Sequence, residues 1–259
     1  MDYENILTRI GDDYVGEIIL NRQKQLNAFN TAMAGELDDA FNKFDRDRNV
    51  RVIILKGAGK AFCVGIDVSE FPGKTALEYC DWIGHMGKTL ITMSHISKPV
   101  IAQVHGAAAA IGAGLVAAAD LAIVSEDARF GLTAINAGLT CIGPAVPVAR
   151  SIGRKRTLEL LLYGDMIEAQ RALEIGLVNR MVQRDELDQE AREWAAVLAR
   201  KSPLAVQTSK KAFYTAADMD YKKAFEYMTD TLAHLCTTED AKEGINAFME
   251  KREPVWHER

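Results

Sequence analysis

Short apolar runs alternate with longer stretches of helical periodicity along the first half of the chain. The runs are YVGEIIL (14–20), RVIIL (51–55), PVIAQV (99–104) and LAIV (121–124). Their length and their content of Val and Ile indicate β-strands. Because they are apolar at successive positions, both faces of each strand are expected to be buried, as in a parallel sheet covered by helices. The alternation therefore predicts an α/β fold.

A helical pattern lies between the first two runs. Met33, Leu37, Phe41 and Phe44 follow one another at intervals of four, four and three residues. These intervals place the four side chains on one face of a helix that begins near residue 30 or 31. We interpret this face as part of the hydrophobic core.

From Thr157 onward, helical patterns dominate. Ser202 is a residue type favoured at a helix N-cap, and Pro203 is favoured at the first helical position. Gly176 is predicted to terminate an earlier helix. We therefore predict a core over residues 1–190 and a helical C-terminal subdomain over residues 191–259.

Charge and cysteine content exclude several classes of protein. The chain has 31 Lys and Arg residues against 36 Asp and Glu residues, and no basic run that would follow a phosphate backbone, so no nucleic-acid partner is expected. The N-terminus lacks the pattern of a signal peptide. The cysteines lack CxxC spacing; they are Cys63, Cys80, Cys141 and Cys236. We expect no metal site and a reduced, cytoplasmic location.

The stretch HGAAAAIGAGLVAAAD (105–120) is poor in side chains that can move a proton. Residues 99–119 carry no charge and approach the length of a membrane span, about 20 residues. We expect no membrane span, because alanine and glycine contribute little apolar area and Gln103 and His105 interrupt the run. Gly112 and Gly114 are costly inside a helix. They indicate either tight packing or close approach of a ligand.

Three longer stretches together resemble the enoyl-CoA hydratase/isomerase, or crotonase, superfamily. They are GAGKAFCVGIDVSEF (57–71), KPVIAQVHGAAAAIGAGLVAAADLAIVSEDARFGL (98–132) and ALEIGLVNRMV (172–182). The resemblance implies a crotonase-like spiral of ββα turns with a helical C-terminal region that serves in oligomerisation and CoA binding. It also implies an acyl-CoA thioester as ligand and a homotrimer or a dimer of trimers.

The resemblance assigns an oxyanion hole to two backbone N–H groups, those of Ile66 and Ile111. Two fixed donors that converge on a thioester oxygen stabilise the charge of an enolate, and a helix N-terminus adds its dipole. For the CoA end, the resemblance assigns Lys24 and Ala28 to a loop along the pantetheine and nucleotide. It assigns Phe248 and Lys251 to a C-terminal helix that reaches the adenine or the phosphates. No cofactor beyond the CoA moiety of the substrate is implied.

The sequence departs from the family where its members carry acids. The two glutamates that hold water in the hydratases are replaced by Gly114 and Ala134, and the position used by some isomerases and dehalogenases is Ile142. Since general acid–base catalysis contributes roughly 10²–10⁴-fold per group, ordinary hydration is not expected.

Several residues are candidates for the missing chemistry. Cys141 is a potential nucleophile or acid, with a small buried cysteine as the alternative. Asp67 adjoins the first amide, where the family often uses aspartate to structure the loop. Further candidates are Asn136 and Thr140 for orienting a water, His85 as a base or a surface residue, and Trp82 and Met86 as walls of an acyl pocket.

Two hypotheses follow from these residues. The first is an acyl-CoA enzyme that stabilises a thioester enolate and catalyses isomerisation, atypical hydration or cleavage of a carbon bond beside the carbonyl. The second is a catalytically silent acyl-CoA-binding or regulatory protein.

Overall fold

The strands that the structure describes form two sheets. The computed structural model describes residues 3–258. Its strands are β1 (Ile6–Ile10), β2 (Val15–Leu20), β3 (Val52–Gly57), β4 (Val100–Val104), β5 (Ala107–Ala109), β6 (Leu121–Ser125), β7 (Arg129–Gly131), β8 (Ile167–Glu168) and β9 (Arg180–Val182). The first sheet has the order β1-β2-β3-β4-β6-β9 and the second the order β5-β7-β8.

Helices follow or separate these strands. They are α1 (Thr31–Arg46), α2 (Ala76–His95), α3 (Ile111–Ala118), α4 (Ile142–Ile152), α5 (Arg154–Tyr163), α6 (Ala169–Glu174), α7 (Leu187–Ala199), α8 (Pro203–Ala216), α9 (Tyr221–Cys236) and α10 (Glu239–Glu250). Short 3₁₀ turns lie at Gln23–Gln25, Val68–Glu70 and Thr133–Ala137.

The larger sheet is parallel from β2 to β9, and only β1 pairs antiparallel to its neighbour. The four strands predicted from apolar runs are confirmed as β2, β3, β4 and β6, with bounds that differ by one or two residues. Alternate residues of β3 face opposite sides. Ile53 and Leu55 join the main core, while Val52 and Ile54 join a smaller cluster beneath α7. Both faces are therefore buried, as expected for a parallel sheet.

Helix α1 begins where its sequence predicts. The Asn30 side chain accepts a hydrogen bond from Met33 N–H at 2.9 Å, and the helix begins at Thr31. This bond satisfies one of the free N–H groups of the first turn. The four apolar positions predicted to face the core are all buried.

The predicted boundary at residue 190 lies inside α7. The buried side of this helix packs against the sheet through residues spaced by four, which are Leu187, Ala191, Ala195 and Ala199. Because α7 covers one face of the sheet, it belongs to the sheet layer. The predicted boundary therefore falls within a helix that packs on the sheet.

Helix α8 is fixed to the spiral by a buried lysine. The Lys210 ammonium donates to the carbonyl oxygens of Met93 (2.8 Å) and Lys98 (2.9 Å) and pairs with Asp120 at 2.7 Å. The same Asp120 oxygen accepts from Val100 N–H. Burial lowers the pKa of Lys210, and the adjacent Asp120 carboxylate opposes that shift. One side chain thus joins α8 to the end of α2, the start of β4 and the turn before β6.

The predicted helix caps in this half are confirmed. The Ser202 hydroxyl accepts from Ala205 N–H at 3.2 Å, with Pro203 at the first helical position. Gly176 follows α6 with φ +81°. This left-handed conformation favours glycine after a helix.

The alanine-rich stretch 105–120 is divided between a strand and a helix. It forms β5 and the short helix α3. Among the helices of residues 3–258, none has the length and apolar character needed for a bilayer span.

We expect Lys210→Met to lower the free energy of unfolding by about 3 kcal/mol, the lower end for a buried ion pair, since it leaves the half-buried Asp120 carboxylate without its cation. The control is Lys211→Met at the exposed neighbouring position, which should change stability by less than about 0.5 kcal/mol. Urea unfolding of both variants gives the measurement. Equal stability of the two would contradict a structural role for the ion pair.

Candidate functional site

The first predicted amide lies on the loop that follows β3. Phe29 N–H donates to Gly65 O at 2.7 Å, and Asp67 N–H donates to Phe29 O at 2.9 Å. In such a parallel bridge, successive residues of a strand point their N–H groups to opposite sides. The N–H of Ile66 therefore points away from Phe29.

The second predicted amide begins α3. Ile111 is the first residue of this helix, directly after β5 and Ala110. The N–H groups of a first helical turn have no acceptor within the helix, and the helix dipole places partial positive charge there. Among backbone hydrogen bonds of residues 3–258 outside helices and strands, none is donated by Ile66 or Ile111. Both donors are thus available to an anionic oxygen.

The two amides are held together by direct backbone contact. Cys63 N–H donates to Ala107 O at 3.0 Å, and Ala109 N–H donates to Cys63 O at 2.9 Å. A Cβ atom at Gly112 would lie 2.2 Å from Cys63 O, which no side chain tolerates. We call this contact of Cys63 with β5 and Gly112 the backbone clamp. It brings the loop of Ile66 against the N-terminus of α3.

The backbone of Ala110 is strained. Its φ of 51° and ψ of −114° lie in a region that residues with a Cβ rarely adopt. Its N–H donates to Gly131 O at 2.8 Å, and its carbonyl accepts from Gly114 N–H at 3.1 Å. These bonds hold the conformation that turns the chain from β5 into α3 and orients Ile111 N–H.

Asp67 is fully used in structuring its loop. One carboxylate oxygen accepts from Ser69 N–H at 3.1 Å and from its hydroxyl at 2.7 Å, and the other pairs with Arg22 at 2.9 Å. The hydrogen bond from the Ser69 hydroxyl, followed by that from Arg22, holds the pKa of Asp67 below its usual value. This geometry is that of an ionised positioning group.

The loop that carries Lys24 and Ala28 is joined to the loop of the first amide. Arg22 donates to Ala28 O as well as to Asp67. Asn27, which the sequence analysis did not identify, is fully buried and donates to Ala58 O (2.9 Å) and Ala61 O (2.8 Å). Its φ of 57° is one that asparagine tolerates better than most residues. Lys24 is exposed on the 3₁₀ turn.

Phe248 and Lys251 lie at the C-terminal end of α10. Phe248 is 85% exposed and borders an apolar groove formed with Leu235, Ile245 and Trp256. Lys251 ends the helix in a left-handed conformation. No hydrogen bond or ion pair described for residues 3–258 connects this end of α10 with the loop of Lys24 and Ala28.

The positions of the missing acids lie around α3 and α4. A Cβ at Gly114 would lie 2.8 Å from the Cβ of Pro144. Ala134 lies on the 3₁₀ turn Thr133–Ala137, and Ile142 is the first residue of α4, 66% exposed. None of these side chains can transfer a proton.

Cys141 is buried at the N-cap of α4. Burial raises the pKa of its thiol, and a hydrogen bond with the backbone of Ala134 opposes that rise. The thiol is therefore neutral at physiological pH, which is unfavourable for a nucleophile. Cys63 in the backbone clamp is also protonated, since burial raises its pKa to about 12.

The other candidates have structural contacts. Asn136 donates to Gly164 O at 3.1 Å, and a ring nitrogen of His85 lies 3.2 Å from Thr31 O.

The two residues suggested as walls of an acyl pocket, Trp82 and Met86, are buried in the main core. Trp82 is packed edge-on against Phe71 and has the Lys74 ammonium over its ring. Among residues 3–258, no group of three or more His, Cys, Asp or Glu residues could hold a metal ion.

Comparison with known proteins identifies the family and the fold. A family model described as Enoyl-CoA hydratase/isomerase matches residues 11–259. A crystal structure of an enoyl-CoA hydratase from Mycobacterium smegmatis superposes with a TM-score of 0.95 at 36% identity, covering 98% of this chain and 99% of that one. The (E)-benzylidenesuccinyl-CoA hydratase of Thauera aromatica is 32% identical over 94% of this chain and 96% of its own length. The rat mitochondrial enoyl-CoA hydratase domain-containing protein 3 is 32% identical over 94% of this chain and 82% of its own. The superposition confirms the crotonase-like α/β fold.

We expect Gly112→Ala to lower the free energy of unfolding by about 2 kcal/mol, because the new Cβ forces the backbone clamp apart. The matched control is Gly87→Ala on α2, where a Cβ would have no atom within 4 Å. That change should raise stability by up to about 1 kcal/mol through helix propensity. Thermal or urea unfolding measures both, and a neutral Gly112→Ala would argue against the clamp.

Ala110→Gly should raise the free energy of unfolding by about 1 kcal/mol, since it relieves a strained backbone while losing little packing. Ala117→Gly, in the ordinary helical part of α3, should lower it by about the same amount. Opposite signs for the two changes in urea unfolding are the expected result. A loss of stability in both would contradict strain at Ala110.

Proposed function

Because this chain belongs to the enoyl-CoA hydratase/isomerase family, we propose that it binds an acyl-CoA thioester and polarises the thioester carbonyl through the N–H groups of Ile66 and Ile111. The observation that carries this proposal is the backbone clamp, which holds the loop of Ile66 against the N-terminus of α3, while neither Ile66 nor Ile111 donates to a backbone acceptor among those described outside helices and strands. We call the region between these two N–H groups the proposed cleft. Removing one such donor costs about 2.7–4 kcal/mol of transition-state stabilisation in enzymes that use them.

The CoA end of the ligand is proposed to lie along the loop of Lys24 and Ala28. Asn27 and Arg22 hold that loop against the first amide, so a thioester at the cleft has its pantetheine arm beside Ala28. The exposed ammonium of Lys24 suits a phosphate. Phe248 and Lys251 are proposed to contact the nucleotide, and no cofactor beyond the CoA moiety is proposed.

A homotrimer or a dimer of trimers is the proposed assembly. Support comes from large apolar side chains that the C-terminal helices expose, which are Tyr221, Phe225, Leu232, Ile245, Phe248 and Met249. Exposed apolar area of this extent marks an interaction surface. A cytoplasmic location is proposed as well.

The reaction is proposed to proceed through a thioester enolate, in an isomerisation, an atypical hydration or the cleavage of a carbon bond beside the carbonyl. Positions 114 and 134 supply no acid or base. Asp67 is paired with Arg22 and serves to position its own loop. Cys141 remains a candidate as a neutral acid, and not as a thiolate.

A second function has one observation in its favour. Gly114, Ala134 and Ile142 all lack a proton-transferring group. A protein that binds acyl-CoA without turning it over needs none. The alternative is therefore a catalytically silent acyl-CoA-binding or regulatory protein.

The test is mass spectrometry of saturated, unsaturated, aromatic and alicyclic acyl-CoAs incubated with the protein in deuterated, ¹⁸O-labelled water. We expect deuterium at the carbon next to the carbonyl in at least one thioester, because enolate formation exchanges that proton. Incorporation of ¹⁸O indicates hydration or hydrolysis instead.

The controls are a reaction without protein and one with Gly112→Ala, in which the clamp is disturbed. Calorimetric titration with the same thioesters measures binding separately. Unchanged masses together with binding would support the silent binder, and absence of binding would overturn both functions.

A further inference from the structure

A proline packs closely against α3 one helical turn after Ile111. Gly114 lies three residues after Ile111, so it is one helical turn further along the same face of α3. A Cβ atom at Gly114 would lie 2.8 Å from the Cβ and 3.0 Å from the Cα of Pro144. Real Cβ atoms do not approach other atoms to 2.8 Å, so no side chain fits at position 114 while Pro144 keeps its place.

Pro144 cannot move aside easily. The atoms in conflict are its Cα and Cβ, which belong to or adjoin the backbone, and not the end of a flexible side chain. It lies in the first turn of α4, where the ring fixes φ. The hydrogen bond from Ala145 N–H to Cys141 O, 2.8 Å long, closes that turn.

The neighbouring positions carry no acid or base either. Cys141, the N-cap of α4, is buried, and its carbonyl oxygen accepts the hydrogen bond from Ala145 N–H. Ala134 is half-buried on the 3₁₀ turn Thr133–Ala137. Positions 114 and 134 therefore offer no group that could activate water.

We propose that Pro144 determines the reaction specificity of this site. It occupies the volume of any side chain at position 114, so that no acid or base at this position can activate water. The proposal rests on the proposed acyl-CoA site and deepens it. Enoyl thioesters are bound and polarised, and of the three reactions proposed above, hydration is the one that Pro144 excludes.

The chemistry of hydration explains why the side chains at positions 114 and 134 decide whether water is added. Water adds to an enoyl thioester by forming a bond from its oxygen to the β-carbon, while one proton passes from that water to a base and one proton reaches the α-carbon. Both transfers need a titratable group within hydrogen-bond reach. At position 134 the alanine could be exchanged for such a group, but at position 114 Pro144 excludes one.

The decisive experiment compares the wild type, Gly114→Glu/Ala134→Glu, Pro144→Gly, and the triple variant that combines all three changes. Each is incubated with but-2-enoyl-CoA in ¹⁸O-labelled water, and hydration is followed by mass spectrometry. Binding of butanoyl-CoA by calorimetry checks the cleft, and circular dichroism checks the fold.

Only the triple variant is expected to hydrate the substrate, at least about a hundredfold faster than the double variant. Equal rates in the double and triple variants would overturn the proposal, because Pro144 would then be no obstacle. A triple variant that folds and binds butanoyl-CoA but adds no water would also overturn it. A wild type that binds no acyl-CoA overturns the proposed function instead.

A second measurement tests Pro144 without any ligand. Gly114→Ala should lower the urea midpoint in the wild-type background and lower it much less in the Pro144→Gly background, since the Cβ of Pro144 is then gone. The control is Gly143→Ala, where a Cβ would have no atom within 4 Å. Equal losses for Gly114→Ala in both backgrounds would overturn the steric role of Pro144, whatever the activity measurements give.

Discussion

The geometry of the cleft depends on the contact between the carbonyl oxygen of Cys63 and the glycine at position 112. Two hydrogen bonds between Cys63 and β5 hold the loop in place, and the missing side chain at Gly112 lets α3 approach it. A helix N-terminus carries free N–H groups wherever it lies. This one is distinguished by the backbone clamp, which packs against it the loop of Ile66, whose N–H donates to no backbone acceptor described outside helices and strands of residues 3–258.

Other residues support the contact of Cys63 with Gly112 without touching it. Asn27 and the pair of Arg22 with Asp67 hold the outer side of the loop. Lys210 fixes the layer behind it by joining α8 to the start of β4, which leads directly into β5. Since these groups are buried or paired, the main chain at the cleft is preorganised before a ligand arrives, a condition for electrostatic stabilisation of an oxyanion.

The sequence predicts those parts of the fold that have a strong local signal. Strands apolar on both faces and the capped, amphipathic α1 could be placed within a few residues. Strand β1 could not, because most of its residues are exposed, and β8 has only two residues. The absence of acids at 114 and 134 is visible in the sequence, but the contact of Gly114 with Pro144 is not, since thirty positions of chain separate them. The role of Asn27 has no local signal in the sequence, because its two carbonyl partners lie on another loop.

The location of the proposed polarising groups in the main chain affects how the cleft is studied. Replacement of Ile66 or Ile111 by any other non-proline residue keeps the N–H in place, so scanning mutagenesis does not remove either proposed group. Semisynthesis that exchanges either amide for an ester removes the donor and leaves the side chain intact, while it weakens the preceding carbonyl as an acceptor. For this proposed cleft, backbone chemistry is therefore the direct probe. A position here can tolerate amino-acid exchange and still have a functional N–H.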